Sequence, residues 1–484
     1  MKILVLQLAR LGDIFISWPA LRALRRSYPD AQIDLMVRPR FEGAAQGLEA
    51  VTNILTLPTA WILEPLVSEV ADDSLSLRRL DEVTEKIRKR NYDLIINLTF
   101  SPFSSFFVHS VAGANTSVLG YSRHRDGYLK IEDDVSSFFY AQAGISRPNR
   151  IHLSDIFATM INVDLIPEDW RSPENINKRK FHLPENYIVA HIGASDTGKT
   201  LSPVQWGKVF NEYSRSPRSA PVVLIGGEAD VIIASCIEEE APNCKFVNLV
   251  GKTQIFDLFS IVSGAQALIG GDSVAMHVAS LTNTRCLNIS IPPVNFWETG
   301  PRAKGSIVIR LKNLRDFVPE IVAQALADLS TGIVPEGFIR AVEGVPSFLD
   351  PQEKASDRFA WELVSALYLG TPAPLADDLG FVQAIEKLAE ANEIAIKSLS
   401  SISDGRTNKA AEVLDRVDEI FAAIGQISEG AGVFTRWIAT EKTRIGPDDP
   451  NILARTLSLH QQLGALIKIY RPKMFEVESG GGNG

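Results

Sequence analysis

"ILVLQLARLGDIFISWPALRALRRSYPDAQIDLMV", residues 3–37, carries the alternation on which the fold turns. From Ile3 to Leu8 the chain is mostly apolar over the length of a strand. From Ile14 to Tyr28 apolar residues recur at helical spacing, with Arg22, Arg25 and Arg26 on the polar side. "IDLMV" then returns to a strand. Gly12 is expected to permit a sharp strand-to-helix turn, and Asp13 falls where the free amides of a helix start favour a carboxylate. An N-cap needs no more than this. However, the turn follows the carboxyl end of a strand, the ligand-binding end of an open α/β sheet, so Asp13 is also placed to accept a proton from a substrate hydroxyl.

The same rhythm continues outward. "ILTL" (54–57) and "YDLIINL" (92–98) read as strands around a charged helix from Leu77 to Arg90, and a polar, irregular region runs from Gly120 to about Pro184. A second series of strands follows in "YIVAHIGAS", "PVVLIGG", "FVNLVG", "ALIGGDS" and "RCLNIS", with Leu314–Leu329 as a closing helix. Strands alternating with helices imply a parallel sheet covered on both faces. The expected architecture is therefore α/β, with two doubly wound, Rossmann-like domains at 1–184 and 185–330 facing a cleft. Residues 331–484 form an all-helical region entered through Pro335, Pro346, Pro351, Pro372 and Pro374, with helical spacing over Leu379–Leu399, Lys409–Ile427 and Ile452–Tyr470. The final "ESGGGNG" offers nothing to pack and reads as a disordered tail.

Composition narrows the function. The 484 residues are 45% apolar and 22% charged, and 49 Lys+Arg against 58 Asp+Glu give a net charge of -9, which speaks against a nucleic-acid partner. Cys236, Cys244 and Cys286 are too few and too scattered for a disulfide framework or a zinc site, so no metal is expected and a reducing cytoplasm fits best. The start "MKILVLQLA" lacks the pattern of a secretion signal, and no stretch approaches the ~20 apolar residues of a membrane span.

Three stretches in the second domain suit a phosphorylated ligand. "HIGASDTGKTLSP" offers Ser195 and Lys199 after a strand, a composition that fits phosphate oxygens although its spacing is not that of a Walker loop. In "GGDSVAMHVAS" a strand ends in glycines and a helix begins at Asp272 and Ser273, its amides free for a diphosphate, with His277 one turn in. "LIGGEAD" puts Glu228 and Asp230 where a carboxylate commonly holds ribose hydroxyls. Each also has a plainer reading: a capped helix, a satisfied structural histidine, or acids complementing a helix dipole.

Taken in order, "LARLGD", "YDLIINL", "HIGAS", "VVLIGGEAD", "NLVGKT" and "ALIGGDSVAMHVAS" resemble glycosyltransferase family 9, the heptosyltransferases of lipopolysaccharide core synthesis, over about residues 1–330. The resemblance implies a GT-B fold, with the acceptor bound mainly by the first domain and ADP-heptose, or another nucleotide sugar, mainly by the second. It implies an inverting, metal-independent transfer. Asp13 takes the position of the family's proposed general base, and Ser195, Lys199, Asp272, Ser273 and His277 those of donor ligands. The acidic ribose ligand falls on Glu228 or Asp230. No cofactor is implied. Two departures stand out: Val274 replaces the usual glycine after Asp-Ser/Thr, and "KTLSP" replaces Lys-x-Trp-Pro, with Leu201 and Ser202 in place of Trp and Pro.

A lipid-linked or core-oligosaccharide acceptor carries carboxylates and phosphates, which arginine grips bidentately. Arg123 and Arg125 in "GYSRHRDG", with His124 between them, are the candidates; Arg22, Arg25 and Arg26 are expected to form a solvated helix face. A sugar-nucleotide epimerase and a degenerate, non-catalytic GT-B scaffold are the rival readings. The helical region is expected to mediate self-association, with peripheral contact at the inner membrane or buttressing of the second domain as alternatives.

Overall fold

The computed structural model describes residues 1–484 except 178–179, 194–197, 199, 377, 403–406 and 472–484, with the backbone alone for 407–410. The expected tail lies outside the described residues. The chain divides into two compact units, the first made of Met1–Arg123, Glu132–Phe139 and Ala143–Glu353, the second of His124–Ile131, Tyr140–Gln142 and the chain from Lys354 onward.

The first unit holds both α/β lobes. In its first lobe β1 (Lys2–Leu6), β2 (Gln32–Val37), β3 (Asn53–Thr56), β4 (Leu94–Asn97) and β5 (Ser117–Arg123) run parallel in the order β3-β2-β1-β4-β5. Helices α1 (Leu11–Ser27), α2 (Thr59–Val67), α3 (Asp73–Arg88) and α4 (Pro102–Val111) make the crossovers. Ile3, Leu4, Val5 and Leu6 are all fully buried, which is why β1 is continuously apolar rather than alternating. The order reverses beside β1, so the loop leading to Asp13 opens at a topological switch point. After β6 (Leu129–Ile131), which belongs to the second unit, α5 (Asp134–Gln142) and α6 (Leu153–Met160) lie in the stretch that reads as irregular from sequence. Helices of eight and nine residues are too short to display a period.

The second lobe carries β7 (Ile188–His191), β8 (Val222–Ile225), β9 (Phe246–Asn248), β10 (Leu268–Gly270), β11 (Cys286–Ser290) and β12 (Ile307–Arg310), parallel throughout. Between and after them run α7 (Pro203–Ser214), α8 (Val231–Glu240), α9 (Asp257–Val262), α10 (Val274–Thr282), α11 (Phe296–Thr299) and α12 (Pro319–Ser330). The closing helix starts at Pro319 rather than Leu314, because proline suits the first helical turn and the residue before it resists helical geometry. Strands do not cease at Thr331. β13 (Ile339–Ala341) and β14 (Phe348–Leu349) add antiparallel to β12, giving the order β14-β13-β12-β11-β10-β7-β8-β9. The second sheet thus reaches past the expected boundary, and its compact unit ends at Glu353. Phe348, fully buried against Phe296 and Trp297, anchors this edge.

The two lobes meet through α1, which packs on α10. Phe15 and Trp18 of α1 face Phe259 of α9, each at a ring-centroid distance of 5.5 Å. Such aromatic contacts fix the approach of the helices and add to the apolar area they bury.

In the second unit, helices α13 (Ala355–Leu369), α14 (Leu379–Ile402), α15 (Thr407–Ile427), α16 (Glu429–Lys442) and α17 (Ile452–Ile467) pack together, α14 against both α15 and α17. This unit is not made solely of residues after 330. Gln142 donates through Nε2 to the carbonyl of Val433 at 3.2 Å, and the His124 ring lies 2.8 Å from the carbonyl of Thr443. Among the described residues no helix is long and apolar enough to cross a membrane.

Candidate active site

The segment after β1 does not turn sharply. Helix α1 begins at Leu11, and Gly12 is its second residue with ordinary backbone geometry. Its glycine is required by packing: a Cβ there would stand 2.8 Å from Cδ2 of His277 on α10. The bare backbone lets the start of α1 lie against the imidazole. Asp13, one residue on, turns its carboxylate back to accept from the Arg10 amide at 3.0 Å, so it satisfies a free donor at the helix start while facing the cleft.

Across the cleft the switch point of the second sheet lies beside β7, between β8 and β10. Three of its loops contribute. His191 ends β7; Gly227 and Asp230 follow β8; Asp272 and Ser273 follow β10, just before α10. Together with Asp13 and His277 these residues line one cavity of about 600 Å³, completed by Arg10, Arg40, Val274 and Thr299. Its size is that of a small-molecule site.

The electrostatics are uneven. Burial pushes the Asp13 carboxyl above its ordinary value, opposed by the Arg10 amide and by His277. Burial holds His277 and His191 below the ordinary imidazole value, against the pull of Asp272 and Asp13 on the former and Asp230 on the latter. In both, burial favours the uncharged ring. The Ser273 hydroxyl and Nδ1 of His191 are buried without a hydrogen-bond partner among the described residues. Buried polar atoms left open in a cleft are what a polar ligand would satisfy.

The sequence-derived residues divide accordingly. Asp13, Asp230, Asp272, Ser273 and His277 come together. Asp272 accepts from Thr299 Oγ1 at 2.8 Å. Asp230 accepts from the Gly227 amide at 2.8 Å, and its carboxylate lies where a Cβ on Gly193 would be, which explains that glycine. Glu228 is exposed and does not line the cavity. Ser195 and Lys199 lie outside the described residues. Leu201 is buried in the lobe core and Ser202 caps α7 through Gln205, so both departing positions have packing or capping contacts of their own.

Neither acceptor candidate lines this cavity. Arg123 donates to Ser105 Oγ at 2.9 Å and lies over Phe106, while Arg125 pairs with Asp448 at 3.0 Å within the second unit. Of the three α1 arginines expected on a solvated face, Arg26 is exposed, whereas Arg22 is buried and Arg25 half-buried. Arg22 is 4% exposed, bonded to Glu49 and to the carbonyls of Asp169 and Arg171; Arg26 pairs with Asp169, and Arg25 binds the carbonyls of Ala31 and Ala50. Helical spacing placed them opposite the core, but two loops fold over that side. Arg10, Arg40, His191 and Thr299 escaped the sequence reading; His191, first residue of the quoted "HIGAS", carried the available signal. Among the described residues no group of three or more His, Cys, Asp or Glu side chains is arranged to hold a metal ion.

Comparison with known proteins finds similarity to one family. Residues 81–291 match the family model of glycosyltransferase family 9 (heptosyltransferase). Two curated relatives from Escherichia coli, both lipopolysaccharide heptosyltransferase 3, are similar over 57% of this chain: the strain K12 protein is 21% identical over 285 residues, 79% of its length, and the other 22% identical over 287 residues, 80% of its length. The crystal structure of the glycosyl transferase family 9 from Veillonella parvula DSM 2008 superposes with a TM-score of 0.51 at 17% identity, covering 68% of this chain and 97% of that one. The fold is GT-B, and over residues 81–291 the chain is similar to glycosyltransferase family 9.

Proposed function

We propose that the chain transfers a sugar, heptose in the first instance, from a nucleotide diphosphate to a hydroxyl of a lipopolysaccharide-core or related glycan, with inversion at the anomeric carbon. One observation carries this reading: a carboxylate of the first lobe, Asp13, lines the same cavity as Asp272, Ser273 and His277 of the second.

In this reading Asp13 takes the proton of the acceptor hydroxyl as that oxygen attacks the anomeric carbon, and the nucleoside diphosphate departs from the opposite face. Desolvation makes the ionised carboxylate a stronger base than it is in water. The free amides at the start of α10 and the open Ser273 hydroxyl stabilise the charge growing on the diphosphate. Lys199 and Ser195 are assigned to the same phosphates by motif alone. Asp230 is the better of the two candidate ribose ligands, because it lines the cavity and Glu228 does not. Such a leaving group needs no acid and, in this scheme, no metal.

The protein is supplied with a panel of nucleotide-activated sugars and a lipopolysaccharide-core acceptor, and products are read by mass spectrometry. Acceptor-dependent addition of one sugar with release of nucleotide supports the proposal. Conversion of the donor without acceptor identifies an epimerase instead, and absence of both product and nucleotide binding favours a scaffold.

A further inference from the structure

A second hollow, of about 1000 Å³, lies at the opposite end of the second sheet, before the amino ends of β10, β11 and β12, and shares no lining residue with the cleft. Its charged lining residues are all basic: Arg285 just before β11, Lys304 just before β12, and Arg340 on β13. Among the described residues none of the three side chains has an ion-pair or hydrogen-bond partner, although the chain holds 58 acidic residues against 49 basic ones.

Helices α9, α10 and α12 end here, so dipole complementarity is the first explanation to weigh. It falls short in two ways. Three helix termini present at most about -1.5 charge in all, against three full positive charges. Moreover, hydroxyls already serve the helix ends: Thr284 donates to the carbonyl of Val262 at 2.9 Å, Thr282 to that of Ala279 at 3.2 Å, and Ser330 to that of Ala327 at 2.9 Å. The cations keep their donors free. Arg285 is held without an acid, its guanidinium lying against two bare turns: a Cβ on Gly305 would stand 3.2 Å from Nε and one on Gly332 3.4 Å from Nη1. Both glycines have left-handed φ, +82° and +89°, which other residues rarely adopt.

We propose that this hollow binds a small soluble phosphate ester. A preset guanidinium with two further cations matches a doubly charged group with several acceptor oxygens. The uncharged lining, including Gln266, Asn283 and Thr331 beside Ala265 and Val334, has the mixed character that receives the sugar-sized body of such an ester. Helix α10 connects the two sites, its start bordering the cleft and its last residue, Thr282, the hollow. The proposal stands apart from the transfer reaction and is tested by binding alone.

The full-length protein is probed by hydrogen–deuterium exchange with inorganic phosphate, with glucose 6-phosphate and with glucose. Either phosphate-bearing probe slows exchange in segments 282–285 and 330–342, and added salt weakens the effect. In Arg285→Ala, and independently in Arg340→Glu, where the side chain on β13 is exposed, apparent affinity falls about tenfold or more while the melting temperature holds. Absence of protection there with both phosphates overturns the proposal. So does protection by glucose alone, undiminished protection in both variants, or protection confined to segments 10–13 and 272–277.

Discussion

Gly12 and His277 are in contact across the two lobes, so close that the helix start has room for a hydrogen but not for a methyl group. The relationship ties the residue before Asp13 to a ring that shares the cavity with Asp272. Alanine favours a helix over glycine by about 1 kcal/mol, yet a Cβ at 2.8 Å must displace the imidazole or part α1 from α10. Gly12→Ala is expected to lower kcat/KM tenfold or more with only a few degrees' change in melting temperature. Unaltered kinetics would show that the ring moves aside freely.

Asp13→Asn keeps the size of the side chain and removes the base. Turnover should fall by about 10²–10⁴-fold, the usual contribution of a general base, while nucleotide affinity, measured by calorimetry, stays within a few-fold of wild type. Equal turnover would take Asp13 out of the mechanism.

Val274 stands at the first position of α10 and lines the cleft, where its branched side chain limits approach to the amides. Val274→Gly is expected to tighten ADP binding several-fold in a calorimetric titration. Weaker binding would mean that the valine supports the cradle instead of narrowing it.

Arg22 is a structural residue, and its removal takes a donor from two backbone carbonyls and one of two arginine partners from Glu49, which keeps Arg171. Arg22→Ala should cost about 2–4 kcal/mol in denaturant unfolding, with KM for both substrates little changed. A selective rise in acceptor KM would restore its candidacy as an acceptor ligand.

In the helical unit His460 is fully buried, its Nδ1 2.7 Å from Asn392 Oδ1, and burial lowers it from the ordinary 6.5 to about 4. Unfolded chains take up this proton near pH 6.5 and folded ones only near 4. Stability is therefore fully present above 6.5 and declines as pH falls towards 4, by about 3 kcal/mol at most from this residue. Melting curves from pH 7.5 to 4.5 should show a shallower decline in His460→Gln than in wild type; parallel curves would assign the loss to other groups.

Much of the architecture was legible because long periodic segments report burial directly. "YIVAH" and "ALIGG" became β7 and β10, and Leu379–Leu399 and Lys409–Ile427 lie within α14 and α15. Segments whose form depends on distant partners were not. β13 and β14 are three and two residues long and exist because β12 offers an edge. α16, "EGAGVFTRWIATEK", carries two glycines that argue against a helix locally, yet Gly430 meets Phe381 and Leu363 where a larger residue would not fit. At the site, the switch-point rule, which depends only on order along the chain, led to Asp13, Asp230, Asp272 and Ser273 but passed over His191 at the end of β7. Arg22 was misread because only the folded loops at 49 and 169–171 turn its exposed face inward.

The pairing of His124 with Thr443 spans 319 residues. At about 5–20 residues per second on the ribosome, the loop at 124–131 emerges some 15–60 s before its helical partners exist. This loop of the second unit must therefore wait, unclothed, until the segment around Thr443 has been made, and release of a chain cut short before it would leave that surface bare for good.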